Sequence, residues 1–288
     1  MVIRTILLWL AVLSLAASAH AAHYGPYPEE TYQTCGASNA PVAALLIHGG
    51  AWTQGNSDAS QVQALCQYLG ANGIYVLALD YRLTPAAPWP SQLQDAQLGL
   101  RYLRLSSIAK RVGVIGTSAG GHIALSMGEA AGTIRFANTD PVGEALMLPG
   151  VSDRPDFIVD VSGPTDLTDA KLLPRGVALL VKGIAMAPAA ARAFASPIAH
   201  LTSTVPPILI SHGLQDQTVP VSQSDEFVNA ARQAGIPVKS VDGGSGNAVA
   251  AASGITYDRH AGGHVFSVTP TVRSRLFRLI VSFSKGTP

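Results

Sequence analysis

The sequence has little charge, few aromatic residues and only two cysteines. Charged residues make up 13% of the 288 residues, aromatic residues make up 6%, and the formal net charge is +1. The lack of a basic excess excludes the positive face that nucleic-acid binding needs, and the high hydrophobic content of 48% excludes an acidic disordered chain. After the first twenty or so residues, no apolar run is long enough to span a bilayer. This composition predicts a globular protein with a large core.

The N-terminal segment has the features of a secretory signal peptide. Arg4 supplies a positive charge, residues 6–15 are almost entirely apolar, and Ala19-His20-Ala21 has the small-x-small form of a cleavage site. The run is shorter than the ~20 apolar residues of a membrane span, so an uncleaved anchor is the weaker alternative. We expect residues 1–21 to be removed, with cleavage after Ala19 as second choice. We then expect export to the periplasm or the medium. The mature chain would form one domain over residues 22–288, and it would not insert stably into a membrane.

Cys35 and Cys66 both belong to the expected mature chain. In an oxidising compartment they would form a disulfide that ties the N-terminal arm to the first helix. The alternative is two unrelated thiols, because Cys66 occupies a helical position that suits a core residue.

Apolar runs alternate with helical patterns along the chain. Runs that are apolar over their whole length, alternating with helices, predict a mostly parallel sheet covered on both faces. A capping box at Ser91 and Gln94 marks the start of the second helix. Ligand sites in such sheets form after the carboxyl ends of the strands. The predicted strands are 42–47, 74–79, 112–115, 157–161, 208–211 and 238–241, and the predicted helices are 57–72, 91 onward, 119–130, 222–234 and 271–284.

Three segments break the alternation. Residues 133–155 predict a long loop, and residues 243–254 predict a flexible excursion rich in Gly, Ala and Ser. Residues 169–195 are rich in Ala and Leu with helical character, which favours a small cap inserted over the site.

A G-x-S-x-G pentapeptide spans residues 116–120. A serine on a sharp strand-to-helix turn needs nearly side-chain-free residues two positions before and after it, and Gly116 and Gly120 meet that need. The pattern predicts Ser118 as a nucleophile, with the amide of Ala119 directed at a developing oxyanion. Thr117 is a candidate for the pocket wall. The alternative is a glycine-rich turn with an ordinary N-cap serine.

The segment His48-Gly49-Gly50-Ala51-Trp52 resembles the His-Gly-Gly loop of the hormone-sensitive-lipase-like esterases. The resemblance implies that the amides of Gly50 and Ala51 join Ala119 in an oxyanion hole, and that His48 braces the loop. Trp52 either walls the pocket or is an ordinary buried aromatic residue.

The acid and the base follow the nucleophile in the chain order of α/β-hydrolases, which is Ser, then Asp or Glu, then His. Residues 212–220 match the family turn His-Gly-x-x-Asp-x-x-Val-Pro, which implies Asp216 as the acid rather than a turn-forming aspartate. Residues 262–266 resemble the Gly-His-x-Phe ending, which favours His264 over His260 as the base. His122, His200 and His212 are expected to be structural. No residues have metal-ligand spacing, so neither a metal nor a cofactor is implied.

The order of these motifs resembles the esterase branch that includes the BD-FAE type, acetylxylan-esterase-like proteins and kynurenine formamidases. The resemblance implies an α/β-hydrolase fold, with a mostly parallel central sheet, helices on both faces and a small helical cap. It also implies a structural ion pair between Arg82 and Asp95. The chain departs from the hormone-sensitive-lipase branch in its short N-terminal arm and in Ala51, where a glycine is usual.

Three functions compete at this point. The first is a serine hydrolase that cleaves small acyl esters, including acetylated or aromatic-acylated saccharides, through an acyl-enzyme. The second is amide cleavage, by a formamidase of the kynurenine-formamidase type or a small peptidase. The third is a non-catalytic binding module, which the retention of Ser118 and His264 disfavours.

Overall fold

The structure is a computed structural model. The expected signal peptide, most of the loop expected at 133–155 and most of the excursion expected at 243–254 lie outside the described residues. The structure describes residues 22–130, 148–169, 172–182, 184, 186–242 and 253–286.

One sheet of nine strands forms the centre of the molecule, in the order β1-β2-β4-β3-β5-β6-β7-β9-β8. All strands from β3 onward run parallel to their neighbours in that part of the sheet, whereas β1 and β2 are antiparallel at one edge. This confirms the expected mostly parallel α/β architecture. The strands are β1 (Ala22–His23), β2 (Thr31–Cys35), β3 (Val42–Ile47), β4 (Ile74–Leu79), β5 (Arg111–Thr117), β6 (Ile158–Val161), β7 (Ile208–Gly213), β8 (Val238–Ser240) and β9 (Ile255–His260).

Helices lie between consecutive strands from β3 to β8, as parallel pairing favours. Among the helices of the described ranges, none is both long enough and apolar enough to cross a membrane. They are α1 (Ser60–Ala71), α2 (Ser91–Ser106), α3 (Ala119–Ala130), α4 (Pro174–Val181), α5 (Pro188–Phe194), α6 (Ser222–Gln233) and α7 (Pro270–Lys285), with a short 3₁₀ helix at Pro197–His200.

The sheet separates two hydrophobic cores because side chains alternate between its faces along each strand. In β3, Ala43, Leu45 and Ile47 belong to the core under α2, α3 and α6. The intervening Val42, Ala44 and Leu46 belong to the core under α1 and α7. All six side chains are buried, so the unbroken apolar sequence of this strand follows from burial on both faces.

Several elements differ from the sequence prediction. The antiparallel strands β1 and β2 and the parallel strand β9 were not predicted. β9 contains the polar residues Thr256, Asp258 and Arg259, so its sequence lacks the apolar run that indicated the other parallel strands. Asp258 is nonetheless fully buried, because it accepts hydrogen bonds from Ser211 Oγ at 2.8 Å and Arg275 Nη1 at 3.1 Å.

One predicted helix start and one predicted helix cap were wrong, whereas the predicted start of α2 at Ser91 was right. α1 begins at Ser60 rather than Ser57, because the backbone amide and hydroxyl of Ser57 bind the Asp80 carboxylate after β4. The capping box is absent: Ser91 already belongs to α2, Pro90 is the N-cap, and no side chain caps that end.

The segment 169–195 carries α4 and α5, which agrees with its predicted helical character. The Trp89 amide donates to the Leu180 carbonyl at 2.9 Å, which fastens α4 to the loop before α2. A Cβ on Gly176 would lie 3.0 Å from the Ala51 carbonyl oxygen, so α4 packs closely against the loop after β3.

Cys35 at the end of β2 and Cys66 in α1 form a disulfide with a Cα–Cα distance of 5.7 Å. The bridge holds the N-terminal arm against the helix that follows β3. Arg82 and Asp95 form the expected structural ion pair, with Arg82 Nε 2.9 Å from Asp95 Oδ1, and this pair fixes the loop between β4 and α2.

Candidate active site

Ser118 lies on the turn that joins β5 to α3. Its φ of 53° is in the left-handed region, which is strained for a residue with a side chain. The turn is tight enough that a Cβ on Gly116 would lie 2.1 Å from the Gly120 carbonyl oxygen, and a Cβ on Gly120 would lie 2.2 Å from that of Ile47. The Ser118 amide donates to the Val161 carbonyl at 2.9 Å. Packing and pairing therefore force the serine side chain above the carboxyl edge of the sheet.

Three distant segments bring Ser118, His264 and Asp216 into one hydrogen-bonded chain. Ser118 Oγ lies 2.9 Å from His264 Nε2, and His264 Nδ1 lies 2.7 Å from Asp216 Oδ2. Ser118 follows β5, Asp216 follows β7 and His264 follows β9, so all three lie beyond the carboxyl ends of parallel strands. Ser118 is 7% exposed and Asp216 is 6% exposed, whereas the His264 side chain between them is 22% exposed, so the two ends of the chain of hydrogen bonds are buried and the imidazole is partly accessible.

Three hydrogen-bond donors and a close contact with His212 hold Asp216 as a carboxylate. Oδ1 accepts the amides of Thr218 at 2.8 Å and Val219 at 2.9 Å. Oδ2 accepts from His264, and His212 Nε2 also lies 3.3 Å from it. Burial by itself would raise the pKa of Asp216, but the hydrogen bonds from His212, His264 and the Val219 amide hold it well below its usual range.

His212 is a part of this arrangement that sequence reasoning did not identify. Its Nε2–H donates to the Val219 carbonyl at 2.8 Å, and its Nδ1 accepts from Ser224 Oγ at 2.7 Å. The expected structural role holds, but the ring also contacts the carboxylate of Asp216. The spacing of four residues between His212 and Asp216 at the end of a strand is the signal that could have indicated this contact.

The loop after β3 turns its backbone toward Ser118. Gly50, Ala51 and Trp52 have φ values of 124°, 50° and 61°, three left-handed residues in succession. Gly49 lies directly against the serine, because a Cβ there would be 3.0 Å from Ser118 Cβ. Within the described part of the chain, no hydrogen bond engages the amides of Gly50, Ala51 or Ala119.

His48 and Tyr81 support this loop from behind. The His48 ring stacks on Tyr81 with 4.3 Å between the centroids, and its Nδ1–H donates to the Gly49 carbonyl at 2.7 Å. Burial lowers the pKa of His48, which favours the neutral ring, and the ring packs between Tyr81 and the Gly49 carbonyl. This is the bracing position that the family resemblance implied.

A cavity of about 490 Å³ opens over the serine. Ser118 and His264 form its floor together with Gly50, Ala51 and the predicted wall residue Thr117, and its apolar side includes Val62, Leu65, Leu173 and Phe266. Trp52 does not line this cavity: it is fully buried, and its indole N–H donates to His122 Nδ1 at 3.3 Å. Of the two roles considered for Trp52, the structure places it as a buried packing residue.

The other histidines lie away from the serine hydroxyl. His260 is buried within β9, and burial lowers its pKa. His122 is fully buried in α3, where its Nε2–H donates to the Ala195 carbonyl at 2.7 Å, and burial lowers its pKa to about 4. No group of three His, Cys, Asp or Glu side chains in the described ranges could hold a metal ion. The arrangement offers an alcohol, an adjacent imidazole and a buried carboxylate, which is the set that nucleophilic acyl transfer requires.

The chain is similar in sequence to several esterases. It is 31% identical to the esterase LipC of Mycobacterium tuberculosis over 205 residues, which are 67% of this chain and 48% of that protein. It is 28% identical to the esterase LipQ of the same organism over 260 residues, which are 84% of this chain and 54% of that protein. The chain thus spans about half the length of these curated relatives.

Solved structures share the fold at low identity. A truncated carbohydrate esterase from gut microbiota matches with a TM-score of 0.69 and 22% identity, covering 91% of this chain and 95% of that one. An acetyl ester-xyloside bifunctional hydrolase from Caldicellulosiruptor lactoaceticus matches with a TM-score of 0.65 and 24% identity, covering 90% and 89%. The BD-FAE family model matches residues 32–231, from β2 through the turn that carries Asp216 to α6. The chain therefore belongs to the BD-FAE family of α/β-hydrolase-fold proteins.

Proposed function

We propose that this protein is a serine carboxylic-ester hydrolase that acts through an acyl-enzyme. The observation that carries the proposal is the continuous chain of hydrogen bonds from Ser118 Oγ through His264 to Asp216, with distances of 2.9 and 2.7 Å. Its relatives named as esterases support the same reaction class.

In the acylation step, His264 Nε2 removes the proton of Ser118 as the hydroxyl oxygen attacks the ester carbonyl. Asp216 holds the imidazole in the tautomer that leaves Nε2 free to accept. The imidazolium then returns the proton to the leaving alkoxide, and the alcohol departs.

The carbonyl oxygen becomes an oxyanion in this step. The amides of Gly50, Ala51 and Ala119 are the donors we assign to it. Gly50 and Ala51 line the cavity over the serine, Ala119 follows the serine in the chain, and within the described ranges none of the three amides has a hydrogen-bond partner. In deacylation, His264 removes a proton from water as the water oxygen attacks the carbonyl of the acyl-enzyme. The imidazolium then returns the proton to Ser118 Oγ, and the carboxylic acid departs.

The substrates that we infer are esters with small acyl groups, including acetylated and aromatic-acylated saccharides. The apolar side of the 490 Å³ cavity has room for a short acyl chain or a single aromatic ring. The two structural neighbours are named as a carbohydrate esterase and an acetyl ester-xyloside hydrolase, which favours saccharide esters over the amides of a formamidase.

A fluorophosphonate probe and p-nitrophenyl acetate test the reaction. The wild type should be labelled and should hydrolyse the ester, whereas Ser118→Ala should lose both properties. Ser106→Ala removes an exposed hydroxyl on α2 and is the matched control. Absence of labelling in the wild type would favour a binding module, and rapid N-formyl cleavage with slow ester cleavage would favour a formamidase.

We also propose that the protein is exported and that residues 1–21 are its signal peptide. The Cys35–Cys66 disulfide supports an oxidising compartment. Protein isolated from a periplasmic fraction or from the medium should have Ala22 as its N-terminal residue, because cleavage is expected after Ala21. A mature chain that still begins at Met1 would contradict the proposal.

A further inference from the structure

A second cavity of about 550 Å³ lies beside the cavity over Ser118. We call it the annex. The N-terminal arm forms one side of it with Tyr27 and Glu29, and the loop after β4 forms the other with Arg82 and Leu83. Gly55 and Asn56 line both cavities. The annex is therefore a neighbour of the reacting serine and not a separate surface depression.

The partition between the two cavities is thin. A Cβ on Gly55 would lie 2.5 Å from the Gly49 carbonyl oxygen and 2.6 Å from His48 Nδ1, and Gly49 itself lies against Ser118. Closely packed glycine backbone thus separates the annex from the serine. Gly55 and Asn56, which line both cavities, mark the place where a substrate with its ester carbonyl at Ser118 would extend into the annex.

Polar side chains in the annex have unused hydrogen-bonding capacity. Within the described residues, the Tyr27 hydroxyl, the Glu29 carboxylate and the Asn56 side-chain amide make no hydrogen bond. Together they offer acceptors and donors on one side of the cavity. Leu83 and two alanines give the annex an apolar wall as well.

Arg82 fixes the shape of the annex. Its guanidinium carbon lies 4.2 Å from the centroid of the Tyr27 ring, and Asp95 holds the same guanidinium by an ion pair. The arm carrying Tyr27 and Glu29 is further fastened because Glu30 accepts the Tyr27 amide at 2.8 Å. The Tyr27 ring and the backbone of the arm are therefore held in place before any ligand arrives, which lowers the entropic cost of binding.

We propose that the annex binds the saccharide alcohol of the ester substrate, while the apolar side of the first cavity receives the acyl group. A sugar ring needs several hydrogen-bond acceptors and donors and also an apolar surface for its C–H face, and the annex combines both. This inference rests on the proposed ester hydrolysis at Ser118 and adds the place where the alcohol portion is recognised.

The test compares two esters in the double variant Tyr27→Phe with Glu29→Gln, because these two residues line the annex and not the cavity over Ser118. Loss of these two hydrogen-bonding groups should lower kcat/KM for an acetylated xylo-oligosaccharide by about tenfold or more, mainly through a higher KM. Hydrolysis of p-nitrophenyl acetate, which has no sugar, should change less than about twofold. The double variant Glu226→Gln with Asn229→Ala, on the exposed side of α6, is the control and should leave both rates unchanged.

A second measurement uses the deacetylated xylo-oligosaccharide as a competitive inhibitor of p-nitrophenyl acetate hydrolysis. Inhibition should be present in the wild type and weaker in the annex variant. Equal loss of both activities in the annex variant, or no loss of either, would overturn the inference. If the wild type cleaves p-nitrophenyl acetate but no acetylated saccharide, the annex inference fails and the ester-hydrolase proposal stands; if it cleaves neither, the proposed function itself fails.

Discussion

Replacing Asp216 with asparagine should place His264 in the wrong tautomer. Asp216 Oδ1 accepts the amides of Thr218 and Val219 at 2.8 and 2.9 Å. Because an amide NH₂ cannot accept hydrogen bonds, the side-chain oxygen of asparagine must occupy this position. The NH₂ group is then left at the Oδ2 position, which lies 2.7 Å from His264 Nδ1. Nδ1 can accept a hydrogen bond from this NH₂ group only when Nδ1 carries no proton of its own.

The displaced proton ends on Nε2, which faces Ser118 Oγ at 2.9 Å. A protonated Nε2 cannot take the hydroxyl proton, so acylation loses its general base. The equivalent change in serine proteases lowers kcat by about 10⁴-fold, or about 5 kcal/mol of transition-state stabilisation. We expect a loss of the same order in Asp216→Asn.

Steady-state hydrolysis of p-nitrophenyl acetate measures this loss, and the rate of fluorophosphonate labelling should fall in parallel. Asp242→Asn changes an exposed carboxylate that pairs with Arg259, and it should retain the wild-type kcat. Thermal unfolding should show that Asp216→Asn remains folded. A folded variant whose kcat falls less than about tenfold would refute the tautomer argument.

Two further predictions concern stability. Removing the disulfide with Cys35→Ser and Cys66→Ser together should lower the free energy of unfolding by about 3–4 kcal/mol, because the two cysteines are separated by 31 positions of sequence. Urea denaturation measures this free energy, and a loss below about 1 kcal/mol would contradict the prediction. Burial lowers the pKa of His122 to about 4 from an ordinary value of 6.5, so unfolding takes up a proton between these values and the free energy of unfolding decreases as the pH is lowered from 6.5 to 4. The stability advantage of the wild type over His122→Asn should therefore shrink by about 3 kcal/mol from pH 7 to pH 4, and a pH-independent difference in urea titrations would exclude this cause.

The motifs near the strand ends could be located from sequence because their chemistry is local. The turn around Ser118 needs glycines at fixed positions, and the structure shows why: added methyl groups at Gly116 and Gly120 would collide with backbone oxygens. The apolar strands β3, β4 and β5 were equally evident, since most of their side chains are buried and few polar positions interrupt them.

The strands that were missed depend on partners far away in the chain. Asp258 in β9 is buried only because Arg275 of α7 and Ser211 of β7 satisfy its carboxylate. β2 carries polar side chains near a half-exposed edge, where it pairs antiparallel with β4. Neither segment has an apolar pattern of its own, so periodicity could not identify them.

The sequence by itself determined the alternation of strands and helices, the sharp turn at Ser118 and the identity of the acid and base candidates, because each depends on residues close together in the chain. Only the tertiary structure decided that His264 rather than His260 reaches the serine, that His212 shares the carboxylate of Asp216, and that the N-terminal arm forms a second cavity beside the first. These depend on strand order and on the packing of loops from separate strands, since a hydrogen bond across 146 positions of sequence exists only when the sheet brings its two ends together.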